Sequence, residues 1–330
     1  MLRLLLLGAI LAMTLNGSVH ADYSQRAEVR AYIDELVSQH GFAAEELADL
    51  FARARRKQSI LDAISRPAER TLKWHEYRDI FIEEPRITQG LEFWNDHEAV
   101  LKEAESRFGV APEYVVAILG VETRYGRITG NFRVLDALTT LAFDYPPRAD
   151  FFRSELTEFL LLTREEGHNP LSLTGSYAGA MGYGQFIPSS YRSYAVDFDG
   201  DGLRDIWSNP SDAVGSIANY FSRHGWRAGE DVVLRVQVRS DEAAGLANDS
   251  LDLTHTVGDL ERLGVTVDGL PRNARAALFR MEGADGEEYW LGLNNFHVIT
   301  RYNRSRLYAL AVHQLGQTIK SRRQALMVER

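Results

Sequence analysis

The chain has 330 residues, 45% of them apolar and 25% charged, with a net charge of −9 and no cysteine. That length and composition fit a soluble globular protein with room for two or three domains. The negative balance excludes a basic nucleic-acid face and adhesion to anionic lipid through a polybasic patch, and the lack of cysteine excludes disulfides.

The first residues depart from that average. Met1-Leu2-Arg3 leads into an apolar stretch from Leu4 to Leu15, followed by Asn16-Gly17-Ser18-Val19-His20-Ala21. One cation, a short apolar run and a small-residue exit describe a secretory signal peptide cleaved after Ala21. The run is short for a membrane span. With no cysteine at the exit to carry a lipid, the mature protein is expected to be soluble, exported and without a membrane anchor.

Residues 24–57 read as helices. Tyr32, Ile33, Leu36 and Val37 share a face, and His40-Gly41 is a stop; Leu47, Leu50, Phe51 and Ala54 repeat the helical spacing to Lys57. Arg53, Arg55, Arg56 and Lys57 read as a solvated cation cluster at a helix end. Trp74 and Tyr77 stand three apart, a pair more common in cores than in sites, although aromatics also serve as sugar-stacking platforms. Pro85 to Phe108 reads as one long helix ended by Gly109.

Pro112 starts a helix whose residues Tyr114 to Val121 are uncharged and mostly apolar, and Glu122 closes that run. A carboxyl group in apolar surroundings favours its protonated form, which suits a general acid. The plain alternative is a helix end with its carboxylate turned to solvent. Gly120 and Gly126 flank the acid, where bare backbone lets a substrate or a neighbour come close. Helices follow over 136–142 and 151–164, separated by the rigid turn Tyr145-Pro146-Pro147-Arg148.

The stretch from Ser176 to Tyr191 is rich in glycine and small residues, so it is expected to lie against a packed neighbour or a ligand. Ser176, Tyr183 and Gln185 offer hydrogen-bonding groups suited to hydroxyls and N-acetyl amides. Pro188 starts the next helix.

Asp197-Phe198-Asp199-Gly200-Asp201-Gly202-Leu203 then matches the opening of an EF-hand loop. Alternate carboxylates Asp197, Asp199 and Asp201 converge, Gly202 allows the bend, and Leu203 supplies a carbonyl. The twelfth position, normally a bidentate glutamate, is Ser208, leaving Asp205 or Asp212 to complete the set. A structural Ca2+ is the expected occupant; an Asp/Gly surface turn without metal is the alternative. Helices over 188–194 and 211–224 flank the loop.

From Val232 the pattern alternates. Val232–Val238, Ala276–Met281 and Glu288–Leu291 read as strands, with Leu253–Thr256 a further candidate and Gly283-Ala284-Asp285-Gly286 a hairpin turn. Helices return over 296–302 and 306–320. The fold class expected is α+β, mainly α.

With these residues in place, the chain resembles the lytic murein transglycosylase B family, glycoside hydrolase family 103. The resemblance is carried by Gly-Val-Glu-Thr-x-Tyr-Gly at 120–126, Thr139 to Pro146, Ser176 to Gly182, Gln185 to Tyr191, Ala218 to Phe221 with Gly225-Trp226, and Asn295 to Asn303. These pieces stand in family order from about residue 70 to 315. The resemblance implies a lysozyme-like core over 85–228 carrying the loop 197–212. Around it come a helical N-terminal domain over 22–84, a small antiparallel β domain inserted at 229–293, and C-terminal helices over 294–330. It implies peptidoglycan glycan strands as substrate, a periplasmic setting, and a monomer as the default state. Glu122 matches the single catalytic acid. Tyr77, Arg148, Ser176, Gln185, Asn295, Tyr302 and Asn303 fall at positions implied to bind the substrate, and Tyr183 and Phe186 join them as substrate-binding candidates.

One carboxylate stands where glycosidases usually have two. Protonated Glu122 would release the leaving oxygen, the substrate's N-acetyl carbonyl would stabilise C1, and ionised Glu122 would then activate the same sugar's C6 hydroxyl. The product is a 1,6-anhydro end. A hydrolytic muramidase of the same fold and a non-catalytic, calcium-stabilised peptidoglycan-binding protein are the alternatives.

Overall fold

The computed structural model describes residues 22–65, 72–247, 250 and 252–328, so the expected signal peptide lies outside the described residues. The chain separates into two compact units that meet in sequence between Arg56 and Lys57. In the first, helix α1 (Ala27–His40) buries Val29, Tyr32, Ile33 and Leu36. It stops where Gly41 takes the left-handed conformation, φ +67°, and returns its N–H to the Leu36 and Val37 carbonyls. Helix α2 (Ala44–Ala52) buries Leu47 and Phe51, and the Phe51 ring meets Tyr32 edge-on at 6.0 Å. Arg53, Arg55 and Arg56 are exposed, as the cation cluster required.

The second unit is built around one helix. It opens with α3 (Gln58–Ile64), α4 (Trp74–Phe81), α5 (Glu84–Asp96) and α6 (Glu98–Phe108), and then α7 (Pro112–Thr123) enters the centre. The expected single helix over 85–108 is in fact two. His97, at φ −119° and ψ 24°, breaks it after a run of poor helix formers, Asn95 and Asp96, and Glu98 starts the next turn.

Every residue of α7 from Pro112 to Gly120 is buried, which is why its sequence is apolar on all faces. Helices α5 and α6 pack on it, as do α11 (Pro210–Arg223) and α15 (Arg306–Val328). Close approach of α15 depends on Gly316, where a Cβ would stand 2.8 Å from the Glu113 carbonyl oxygen. Helices α8 (Val134–Asp144) and α9 (Ala149–Glu165) pair beside this core, and short strands β1 (Phe132–Arg133) and β2 (Thr174–Gly175) join antiparallel at its edge. Helix α10 (Pro188–Tyr194) leads into the acidic loop and α11.

The expected β segment forms one antiparallel sheet. Its strands are β3 (Val233–Val238), β4 (His255–Thr256), β5 (Val265–Thr266), β6 (Arg275–Gly283) and β7 (Gly286–Gly292), in the order β4-β6-β7-β3-β5. The hairpin between β6 and β7 closes on Gly283 opposite Gly286, as the turn signal implied. The sequence reading missed β5 and two short helices, α12 (Asp241–Leu246) and α13 (Val257–Arg262). Both helices are too short to show periodicity, but both carry caps: Ser240 Oγ accepts the Ala243 N–H, and Thr256 and Asp259 form a capping box. Val236, Ala243, Val257, Leu260, Val265, Leu278 and Leu291 form a core for this segment. Helix α14 (Asn294–Tyr302) then leads back to α15. The architecture is mainly α with a small antiparallel sheet, as expected.

Candidate active site

Glu122 is the penultimate residue of α7, partly exposed where the buried helix reaches the surface. The backbone beyond it is unusual. Arg124 and Tyr125 both have positive φ, 50° and 61°, although neither is glycine. Such residues cost on the order of 1–3 kcal/mol each and persist only where surrounding contacts over-determine them. Here the Tyr125 N–H bonds the Leu119 carbonyl at 2.9 Å, the Tyr125 phenol donates to the Arg86 carbonyl at 2.9 Å, and Arg124 pairs with Glu83. Thr123 Oγ1, buried, donates to the Tyr183 carbonyl at 2.8 Å and accepts the Gly126 N–H at 3.0 Å. The end of α7 is thereby joined to the glycine-rich 176–191 segment.

The bare backbone of that region makes room for neighbouring protein atoms. A Cβ on Gly120 would stand 2.6 Å from Tyr125 Oη, one on Gly126 2.3 Å from the Tyr183 ring, and one on Gly182 2.4 Å from the Ile206 carbonyl oxygen. Of the two readings of the glycines, packed neighbours explain these three positions.

The carboxylate of Glu122 meets a residue that sequence reasoning missed. Tyr308, on α15 and 2% exposed, donates its phenol proton to Glu122 Oε1 at 2.5 Å. Burial first, then the charge of Glu122, raises the Tyr308 phenol well above its ordinary pKa, with Tyr302 and Tyr77 adding to the effect. It therefore stays a donor. Burial and Glu122 raise Tyr302 in the same way, and Tyr302 Oη donates to the Gly184 carbonyl at 2.5 Å. Tyr308 sits in the apolar run Leu307-Tyr308-Ala309-Leu310, where a helical tyrosine carries no local mark of a site.

The remaining expected site residues divide. Tyr302 and Tyr77 lie near enough to Tyr308 to raise its phenol, as Glu122 does. Tyr77 is 3% exposed and Phe186 is 3% exposed, with the Phe186 ring 5.9 Å from Tyr302, so both pack as support. Gln185 has φ +52° and donates its amide to the Thr129 and Gly182 carbonyls at 3.1 and 3.0 Å. Ser176 Oγ accepts the Ala178 and Ala180 N–H groups at 3.3 and 3.0 Å, a turn-forming use of the hydroxyl. Tyr183 is partly exposed over Gly126, and Arg148 is exposed, with its guanidinium 4.2 Å over the Phe151 ring. Asn303 caps α14 and is partly exposed.

Asn295 corrects the expectation of a substrate contact. It is fully buried, accepts the Arg227 N–H at 2.8 Å, and donates to the Arg227 and Glu230 carbonyls at 2.8 and 3.1 Å. Its amide is spent holding the 227–230 turn.

In the acidic loop, Asp197, Asp199 and Asp212 each place a carboxylate oxygen within 4.8 Å of the others. Asp212 is fully buried and accepts the Phe198 and Asp205 N–H groups at 2.7 and 2.8 Å. Burial, and then the two neighbouring aspartates against the lowering effect of those bonds, raises its pKa. Asp205 instead accepts from Trp207 N, Ser208 N and the Ser208 hydroxyl, closing the 205–208 turn, while Asp212 is the carboxylate grouped with Asp197 and Asp199. Asp201 lies outside that group of three, and the Leu203 side chain is 56% exposed. An all-carboxylate donor set with one buried member suits a hard divalent cation. The loop also backs the site, because the Ile206 carbonyl accepts the Tyr183 N–H at 2.9 Å.

A buried helix delivering one acid to the surface above a cluster of buried tyrosines, with an EF-hand-like loop behind it, fits a glycan-cleaving enzyme of the lysozyme-like class. The profile of the family described as "Transglycosylase SLT domain" matches residues 24–317. Membrane-bound lytic murein transglycosylase B of Escherichia coli (strain K12) is 43% identical over 308 residues, covering 90% of this chain and 84% of that protein. The soluble lytic transglycosylase SltB1 from Pseudomonas aeruginosa is 54% identical, with a TM-score of 0.87 over 90% of this chain and 99% of that one. The Escherichia coli lytic transglycosylase Slt35 in complex with calcium is 43% identical, with a TM-score of 0.83 over 92% and 95% of the two chains. Pseudomonas aeruginosa SltB3 in complex with NAG-anhNAM-pentapeptide is 34% identical, with a TM-score of 0.79 over 89% of this chain and 79% of that one. The chain belongs to the lytic murein transglycosylase B family.

Proposed function

We propose that this chain is a lytic transglycosylase that cleaves the β-1,4 MurNAc-GlcNAc bond of peptidoglycan and leaves 1,6-anhydro-MurNAc ends. The observation that carries the proposal is the placement of Glu122, partly exposed at the end of α7 with Oε1 held by Tyr308. Tyr308 donates to Oε1 and so orients the carboxyl group that is proposed to give its proton to the leaving oxygen. Charge then develops at C1, where the substrate's own N-acetyl carbonyl is the nearest nucleophile of fitting chemistry. The ionised Glu122 takes the proton of the C6 hydroxyl of the same sugar, and its attack closes the anhydro ring without water. Family membership and the relative bound to an anhydro-MurNAc peptide support this outcome over hydrolysis.

Tyr77, Arg148, Ser176, Tyr183, Gln185, Phe186, Tyr302 and Asn303 are proposed to line or support the glycan groove. The exposed Arg148 guanidinium suits the carboxylates of lactyl groups or stem peptides. Asp197, Asp199 and Asp212, with Asp201 and the Leu203 carbonyl, are proposed to hold a structural Ca2+ that supplies no step of the reaction. The setting proposed is periplasmic, after cleavage at Ala21. Among the described residues no helix is long and apolar enough to cross a membrane. The division at 84, 228 and 293 is proposed for the domains, the separate core of the sheet supporting the inserted one.

Mass spectrometry of purified murein digested with wild type and Glu122→Gln tests the reading. Anhydro ends from wild type and a loss of at least about 100-fold in the variant are expected. Reducing ends from wild type would turn the assignment to a hydrolytic muramidase, and undiminished anhydro product from the variant would remove Glu122 from it.

A further inference from the structure

We propose that Tyr125 is a positioning residue for Glu122, an inference that rests on the assignment of Glu122 as acid and base. A single left-handed residue is a common way to end a helix, and it is usually glycine. Here two side-chain-bearing residues, Arg124 and Tyr125, take that conformation in succession directly after the helix that carries the acid. Their side chains anchor to the same partner helix. Arg124 pairs with Glu83 at the entry of α5, and Tyr125 donates to the Arg86 carbonyl within it, at 2.9 Å.

The route taken by the Tyr125 phenol is built for it from both sides. It lies between α5 and α7 where each helix has a glycine. A Cβ on Gly90 would stand 2.5 Å from Tyr125 Oη, and a Cβ on Gly120 would stand 2.6 Å from the same atom. The ring is 6% exposed and stacks on Phe93 at 5.8 Å. Gly120 precedes Glu122 by two residues and Tyr125 follows it by three, so the acid is bracketed by the two halves of one contact. On the opposite side, Thr123 ties the next residue to the Tyr183 carbonyl. These contacts hold the last turn of α7 in the one orientation that brings the Glu122 carboxylate to Tyr308. The phenol bond is one of the contacts that hold Arg124 and Tyr125 in left-handed backbone, against their intrinsic preference for another helical turn.

The test compares purified wild type with Tyr125→Phe, Gly120→Ala, their combination, Glu122→Gln and a core control, Phe159→Leu in α9. Each is assayed below its melting transition on a soluble peptidoglycan fragment, with kcat, KM and melting temperature recorded. Tyr125→Phe keeps the ring and loses the bond to Arg86; a kcat loss of about tenfold or more with KM within about twofold is expected. Gly120→Ala crowds the phenol oxygen and reads the same contact should Tyr125→Phe not fold. The combined loss is expected to be smaller than the product of the single losses, since one contact is broken twice. Phe159→Leu is expected to lower the melting temperature and leave kcat in place. Wild-type kcat in Tyr125→Phe, losses that multiply, or a kcat loss in Phe159→Leu that tracks melting temperature in the same way would each overturn the proposal. Full activity of Glu122→Gln would instead remove the assignment beneath it.

Discussion

Tyr308 Oη lies 2.5 Å from Glu122 Oε1, joining two residues 186 positions apart in the chain. The bond holds one of the two carboxylate oxygens of Glu122. It also links α7, which ends at the site, to α15, which packs along its length.

Replacing Tyr308 by Phe keeps the ring and removes the donor. The carboxylate then loses a contact that orients it, and kcat on a soluble glycan fragment is expected to fall on the order of 10- to 100-fold with KM little changed. A variant with wild-type kcat would show that Oε1 needs no partner.

Arg148 is exposed and rests over the Phe151 ring, and among the described residues it has no ion pair. Arg148→Ala is therefore expected to leave the melting temperature within about 1–2 °C of wild type, because surface changes of this kind stay near 0.5 kcal/mol. If the guanidinium meets substrate carboxylates, KM for peptide-bearing fragments rises several-fold, while KM for glycan without peptides does not. Equal KM changes for both substrates would remove Arg148 from peptide recognition.

The parts of the fold and site that were legible in the sequence are those whose signal is local. Glu122 is marked by the apolar run it ends, and the acidic loop by carboxylates at alternate positions, both readable within a dozen residues. Tyr308 is not marked, because its importance comes from a partner on another helix. Asn295 misled in the opposite way. The resemblance implies a substrate contact there, whereas the backbone of the 227–230 turn satisfies the amide. The break at His97 was missed because the apolar spacing runs through it and only the backbone turns aside. Short capped helices α12 and α13 fall below the length at which periodicity can be seen.

The acidic loop is tied by hydrogen bonds to the segment that ends α7. Asp212 holds the Phe198 and Asp205 N–H groups, and the Ile206 carbonyl next along holds Tyr183, which Thr123 in turn grips. Calcium at 100 times its dissociation constant is expected to stabilise the protein by about 2.7 kcal/mol, and chelation to reverse this. Asp212→Asn should lose the calcium-dependent part of the melting temperature. Isothermal titration calorimetry measures the binding directly. Binding by Asp212→Asn with unchanged affinity would exclude Asp212 as a ligand.

His313 sets a pH dependence of stability. It is largely buried in α15, with Nδ1 3.1 Å from Tyr114 Oη, and burial lowers its pKa from 6.5 to about 4. Between those values the unfolded chain binds a proton that the folded chain refuses, so stability rises with pH through that window and levels off above it. The full contribution is on the order of 3 kcal/mol, present above pH 6.5 and lost as pH falls through about 4. Urea unfolding at a series of pH values is expected to show this slope in wild type. His313→Gln keeps a group able to meet Tyr114 and does not titrate, so its slope between pH 4 and 6.5 should be shallower by about one proton's worth. Parallel slopes in the two proteins would mean that folding does not lower the pKa of His313.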